Sequence, residues 1–352
     1  MLPFLILEST ENFSDMACSV NRSLRCPICQ GALVSARSPE FALGCLKCNE
    51  IYPIVNGIPR MISKAMRLAL GEENPLEKSE IFDRTGVETA RSFGFEWSHF
   101  PEMRPEWESN FWDYMFPHTP ESFSGKRVLD AGCGSGRHTY YAAQNKTEVW
   151  AIDISPAVEV AKYNTRLHNN VYVAQADIHQ LPFEPESFDL IYSIGVLHHL
   201  PDPEAAFRNL LRYLKPGGWI HIYIYRKPEN QPLKRALLAL ANGIRWITTR
   251  IPHRLVYGLS YPAAAVVHAG FVWPYQMLAA AGLNRIAERI PMKQYARYPF
   301  RVCVNDQFDR FSTPIEVRFT REEVAGWMRR ARLEDIVISP NYGWCATGRK
   351  PI

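Results

Sequence analysis

Residues 127–136 read RVLDAGCGSG, and this stretch decides the fold. RVLDAG is a short apolar run closed by turn residues, the pattern of a buried strand. The glycines Gly132, Gly134 and Gly136 follow at alternate positions, before a stretch of helical character, HTYYAAQN. Glycines between a strand and a helix let the chain turn tightly and approach a ligand where the helix N-terminus offers free N–H groups. The spacing is G-x-G-x-G, not the G-x-G-x-x-G of a dinucleotide site, and an acid, Asp130, stands two residues before the first glycine. The loop acquires meaning from what surrounds it.

Working outward, EVWAIDIS (148–155), VYVAQAD (171–177), FDLIYSIG (188–195) and GWIHIYIY (218–225) read as further strands, with helical stretches such as AAFRNLLRYL (205–214) between them. Short apolar strands alternating with helices predict a parallel α/β sheet. Asp153 ends the second strand and Asp177 the third. With Asp130, three carboxylates therefore stand at the carboxyl ends of neighbouring strands, where open α/β sheets bind ligands, and an acid at the position of Asp153 can accept both hydroxyls of a ribose. Near the end of the chain, Thr320-Arg-Glu-Glu323 predicts a capped helix, and EDIVIS and WCATGRK, joined by PNYG, predict an antiparallel hairpin.

Upstream, Cys26-Pro-Ile-Cys29 and Cys45-Leu-Lys-Cys48 are two knuckles fifteen residues apart, a spacing that suits four thiolates on one tetrahedral zinc. A module of about 40 residues cannot build an adequate core alone, so the ion is expected to supply folding energy, and an all-cysteine shell marks it as structural. Cys18, Cys133, Cys303 and Cys345 carry no spacing signal. The opening MLPFLIL has no positive flank and is followed by acidic sequence, so it does not read as a signal peptide. A cytoplasmic location with reduced thiols is the expectation.

VLDAGCGSG, AIDIS, QADIHQLPFEPESFDLIYSIGVLHHL and LKPGGWIHI, in this order, resemble the class I S-adenosylmethionine-dependent methyltransferases. RCPICQGAL and LGCLKCNEIYPIVNGIPRM resemble the small zinc-ribbon activators that partner methyltransferases. The resemblance implies a Rossmann-like sheet of seven strands with the last reversed, preceded by a four-cysteine zinc ribbon. It implies that Asp130, Gly132, Gly134 and Gly136 face the methionine part of the cofactor. Asp153 with Ile154 would meet the ribose, Asp177 with Ile178 the adenine, while Ser193 and Ile194 would lie against the cofactor at the end of the fourth strand.

Methyl transfer needs a nucleophile aligned with the methyl carbon, water excluded, and a base only where the nucleophile arrives protonated. SIGVLHHL (193–200) sets His198 at the end of strand four as a candidate base or substrate-orienting donor, the other reading being a cap or a pocket wall. His199 reads as a residue that packs or makes a backbone hydrogen bond, and Tyr225 as a substrate-side aromatic or a bland strand end. SFGFEWSHF (92–100) either covers the cofactor or packs the ribbon to the core, and NDQFDRFSTP (305–314) offers two acids that are substrate contacts or solvated loop residues.

The 352 residues are 47% hydrophobic and 22% charged, ordinary for a soluble globular protein with room for several domains. The net charge of +4 hides an asymmetry. Residues 226–301 hold 12 Lys/Arg against 2 acids, and the rest of the chain is net acidic. Residues 255–284 carry no charge, but Pro262, Pro274 and three glycines argue for a helical lid over the site rather than a membrane span. The expected organisation is a tail (1–20), the ribbon (21–62), a linker and cofactor cover (63–120), a core (121–228 and 295–352) and a basic apolar insertion (229–294). The insertion points to a small or lipid-like acceptor, with contact to an acidic membrane surface or a solvated basic face as the two readings. An RNA base acceptor is an alternative, which the shortage of aromatics interleaved with basic residues disfavours. The other is a non-catalytic scaffold, which would have no need of the glycines and acids.

Overall fold

A computed structural model of the chain describes residues 23–38, 40–71, 84–229 and 231–352. The expected N-terminal tail, with Cys18, lies outside the described residues. Four strands come first, β1 (Leu33–Ser38), β2 (Glu40–Cys45), β3 (Ile51–Val55) and β4 (Ile58–Met61). Then follow the helices α1 (Lys64–Leu70), α2 (Arg84–His99) and α3 (Trp107–Met115). The core alternates β5 (Arg127–Ala131), α4 (Arg137–Ala143), β6 (Glu148–Asp153), α5 (Val158–Asn164), β7 (Val171–Ala176), β8 (Phe188–Ile194), α6 (Pro203–Leu211) and β9 (Leu214–Ile224). After it come α7 (Pro232–Thr248), α8 (His253–Val267), α9 (Trp273–Ala280), α10 (Phe300–Ser312) and α11 (Arg321–Arg330). The hairpin β10 (Glu334–Asn341) and β11 (Gly343–Arg349) closes the chain.

The sheet runs β1-β2-β3-β4-β7-β6-β5-β8-β9-β11-β10, so it has eleven strands where seven were expected. The difference is the ribbon. Its last strand, β4, joins the core sheet in parallel with β7, pairing Arg60 with Gln175 and Met61 with Ala176. β5 through β9 are parallel to one another, whereas β11 enters antiparallel beside β9 with β10 outside it. The order reverses direction at β5, between β6 and β8, the topological switch point at which such sheets open a ligand crevice.

Strand periodicity explains the layers. β5 sends Leu129 and Ala131 to one face and Val128 to the other, and β6 splits Trp150 and Ile152 from Val149 and Ala151 in the same way. The first face is covered by Phe207 and Leu210 of α6 and by Val324, Trp327 and Met328 of α11. The second is covered by α3, α4 and α5 through Phe111, Tyr141 and Val158. Local signals fix the helix starts. Asp202 accepts from Ala205 N at 2.9 Å ahead of Pro203, and the Thr320–Glu323 capping box forms in both directions.

The helical insertion has its own small core, in which Val256, Ala264, Val267 and Val272 pack against Cys303, Val304 and Phe308 of α10. Cys303, Val304 and Phe308, which lie beyond the boundary expected at residue 295, thus pack with the insertion. NDQFDRF is helix and not loop, because its apolar side chains recur at helical spacing and bury that face.

Candidate cofactor and acceptor site

A cavity of about 280 Å³ opens at the carboxyl ends of β5, β6, β7 and β8. Of the residues expected at the cofactor, Gly132, Gly134, Asp153, Ile154, Asp177, Ile178 and Ile194 line it together. Gly132 has φ +90°, and a Cβ there would stand 2.4 Å from Val196. At Gly134, with φ +52°, a Cβ would stand 2.7 Å from the indole nitrogen of Trp97. Side chains at either position would displace the wall opposite, so the loop is narrow because its neighbours use the space.

Three expected residues do not line the cavity. Asp130 is 2% exposed, and its Oδ2 accepts from Thr139 Oγ1 at 2.6 Å and Tyr192 OH at 2.9 Å, so it braces the loop from behind. Burial pushes its carboxyl up to about 7 against those two bonds. Ser193 is fully buried with Oγ donating to Ala131 O, and Gly136 caps α4 against Ala161.

Asp153 is held in place by its own surroundings. Its Oδ1 accepts from Ser155 N and Oγ at 2.8 and 2.6 Å, and Oδ2 from Gly134 N at 2.9 Å. Burial raises its pKa and the three bonds oppose the rise. Oδ2 keeps a lone pair for a ligand hydroxyl. Hydrogen bonds to a charged group contribute about 1.5–3 kcal/mol. Asp153→Ala should therefore weaken S-adenosylmethionine binding about tenfold or more, read by calorimetry; wild-type affinity would remove the ribose role.

The stretch SFGFEWSHF lies on α2 and covers the cavity rather than joining the ribbon to the core. Phe93 and Trp97 line the wall, while Phe95 turns away to stack on Phe308. Arg137, also on the wall, lies over the rings of Trp97 and Trp107 at 5.7 and 4.8 Å. Trp97 belongs to the stretch expected as a candidate cofactor cover, whereas Arg137 was not identified from sequence. The only signal for Arg137 was its placement directly after Gly136.

His198 is not where it was expected. Leu197–His199 form a single 3-10 turn, in which successive side chains point about 120° apart, so one histidine of the pair can face the cavity. That one is His199. Its Nδ1 lies 2.6 Å from Ile315 O, a bond that requires the proton on Nδ1 and leaves Nε2 with its lone pair. Burial, outweighing Asp309 and the Ile315 carbonyl, lowers its pKa from the ordinary 6.5. His198 is fully buried against the ring of Tyr225 at 3.9 Å, and neither ring nitrogen finds a partner among the described residues. Tyr225 lines the far side of that pair, with Arg318 over its ring at 5.0 Å.

Outside the residues that line the cavity, near Arg137, lies an acidic cluster. Glu96 is 2% exposed, and burial, with Asp309 and Asp306 nearby, holds its pKa well above the carboxylate range. Asp306 accepts from Tyr295 OH at 2.6 Å and is pushed up to about 6, chiefly by burial. Glu96 Oε2 and Asn305 Oδ1 have no hydrogen-bond partner among the described residues. At the other end of the chain, the Sγ atoms of Cys26, Cys29, Cys45 and Cys48 lie within 4.8 Å of one another, with 3.6 Å for Cys26–Cys48 and 3.4 Å for Cys29–Cys45. Thiolates on one tetrahedral zinc stand about 3.8 Å apart, so the set fits that ion.

Residues 129–222 match the family described as "Methyltransferase domain". The chain is 36% identical over 135 residues to the tRNA U34 carboxymethyltransferase of Hydrogenovibrio crunogenus, covering 36% of this chain and 40% of that protein. It is 30% identical over 162 residues to the ubiquinone biosynthesis O-methyltransferase of Pseudomonas putida, covering 44% and 66%. The solved structure of human N-acetylserotonin methyltransferase matches with 14% identity and a TM-score of 0.44, over 80% of this chain and 62% of that one. The chain thus spans 40% and 66% of the lengths of these two relatives. The family match and the strand-end cavity fall on the same part of the chain: residues 129–222 match a methyltransferase domain.

Proposed function

We propose that the protein transfers a methyl group from S-adenosylmethionine to a hydroxyl of a small amphiphilic acceptor, with His199 as the general base. The observation that carries this reading is the histidine itself. It stands on the cavity wall, its proton is committed to Ile315 O, and its pKa is lowered, so at neutral pH Nε2 is an unprotonated acceptor. When bound, S-adenosylmethionine supplies an activated methyl group on a sulfonium. The chain supplies position and proton acceptance: Asp153 and Asp177 hold the nucleoside end, Trp97 covers the glycine loop and excludes water, and His199 takes the hydroxyl proton. A structural zinc on the four ribbon cysteines completes the protein, which works in the cytoplasm.

The relatives named for tRNA favour a second reading, an RNA acceptor. Incubation with methyl-labelled cofactor and fractionated cell extract separates the two. Label in the organic-soluble fraction supports the amphiphile, label in RNA replaces it, and no cofactor binding by calorimetry defeats methyl transfer altogether.

A further inference from the structure

α7 is built inside out. Its exposed apolar face is Leu237, Leu240, Ile244 and Ile247, spaced at three and four residues and 56, 63, 41 and 59% exposed. Among its described side chains, the one it buries is a cation: Arg245, 6% exposed, which pairs with Glu316 at 2.6 Å and donates to Arg310 O at 2.9 Å. A surface helix ordinarily does the reverse, hiding its apolar stripe and hydrating its charges. The stripe faces outward while a buried ion pair seats the helix on α10.

The next helix repeats the pattern over a greater length. His253–Ala280 runs through α8, a π turn at His268–Val272 and α9 as 28 residues, its most apolar 18-residue window having a mean hydropathy of 1.4 and being 28% buried. One face, with Val256, Ser260, Ala264 and Val267, packs lengthwise on the insertion core. The opposite stripe, Leu255, Leu259, Val266, Trp273 and Met277, is 56–73% exposed. A helix attached to a folded domain along α8 and at Val272 leaves only the short α9 free, too little to cross a bilayer, but it can lie in the plane of one.

Charge decides the partner. Residues 231–287 contain no acid and six Lys/Arg, of which Lys234, Arg235, Arg250, Arg254 and Arg285 are exposed and, among the described residues, make no ion pair. A second copy would bring the same cations against these. Nucleic acid would satisfy the cations and leave the leucine, isoleucine and valine side chains in water. A surface that is apolar below and anionic above satisfies both, and an exposed tryptophan suits its interface.

We propose that α7 and the helix His253–Ala280 form a docking face that inserts in the plane of an anionic lipid bilayer. This inference does not depend on the identity of the acceptor or on turnover. The test is co-flotation of the full-length protein with vesicles of phosphatidylcholine alone and with added phosphatidylglycerol. Binding to the anionic vesicles that weakens as salt rises is expected, with about tenfold or greater loss in Val266→Glu/Trp273→Glu/Met277→Glu. These three side chains are solvent-exposed, so melting temperature and S-adenosylmethionine affinity should match wild type. Failure of the wild type to bind anionic vesicles, or equal binding by the variant, overturns the proposal. So does a wild-type dimer in sedimentation that the triple variant splits, which would make the face an interface between copies.

Discussion

Stripping the metal, or replacing Cys45 by serine, should unfold the ribbon and lower S-adenosylmethionine affinity at a site the ribbon does not touch with any zinc ligand. Zinc binding to small cysteine modules is worth about 10–16 kcal/mol, comparable with or greater than the roughly 5–15 kcal/mol that holds a whole domain. The ribbon has little to replace it: among its described residues the largest fully buried side chains are Leu24, Leu43, Tyr52 and Ile58. The damage should travel along hydrogen bonds. β4 extends the core sheet at β7, where Arg60 donates to Gln175 Oε1 at 3.3 Å and pairs with Glu159. Gln175 in turn donates to Ile154 O at 2.9 Å, and Ile154, Asp177 and Ile178 are cavity wall. Losing β4 leaves that edge of β7 unpaired beside the adenine end of the site. Metal analysis should give one zinc per chain, and chelation or Cys45→Ser should lower the melting temperature and weaken cofactor binding in calorimetry. Unchanged cofactor affinity after complete zinc removal would show the ribbon to be an independent module.

What was legible in the sequence was what is local. The glycines, the acids Asp153 and Asp177, the capping box at Thr320 and the four cysteines each declare themselves within a few residues, because turn geometry, capping and metal spacing are short-range requirements. What was not legible depends on approach between distant segments. That Gly134 makes room for Trp97, thirty-seven residues earlier, is a fact of packing. The parallel pairing of β4 with β7 joins segments more than a hundred residues apart, and nothing in the sequence IPRM announces it. Asp130 looked like a ligand because it precedes the glycines. Its burial behind them with Thr139 and Tyr192 comes from the strand's alternation, which turns it from the cavity. The histidine doublet fails for a similar reason: the pair was evident, but which ring faces the cavity depends on a 3-10 turn.

His199→Asn should therefore lower kcat about 10²- to 10⁴-fold, the usual contribution of a general base, with S-adenosylmethionine affinity nearly unchanged. Asparagine is the informative replacement. Its amide N–H reproduces the Nδ1 donor to Ile315 O, so the turn is kept, while the acceptor corresponding to Nε2 is lost. His198→Leu provides the contrast: it removes two buried nitrogens that have no partner among the described residues, packs against Tyr225, and should leave methyl transfer intact. The pH profile gives a second reading of the same residue. A base must be unprotonated, and burial lowers the pKa of His199 below its ordinary 6.5, so kcat/KM should be flat through neutral pH and fall only below that value. Folding has the same sign. Both histidines are buried neutral, the unfolded chain takes up more protons on acidification, and stability should fall as pH drops below 6.5. The two effects separate by variant, since His198→Leu relieves part of the acid destabilisation and leaves the catalytic limb where it was. A rate loss in His198→Leu with retention in His199→Asn would exchange their roles and place the acceptor on the Tyr225 side of the turn.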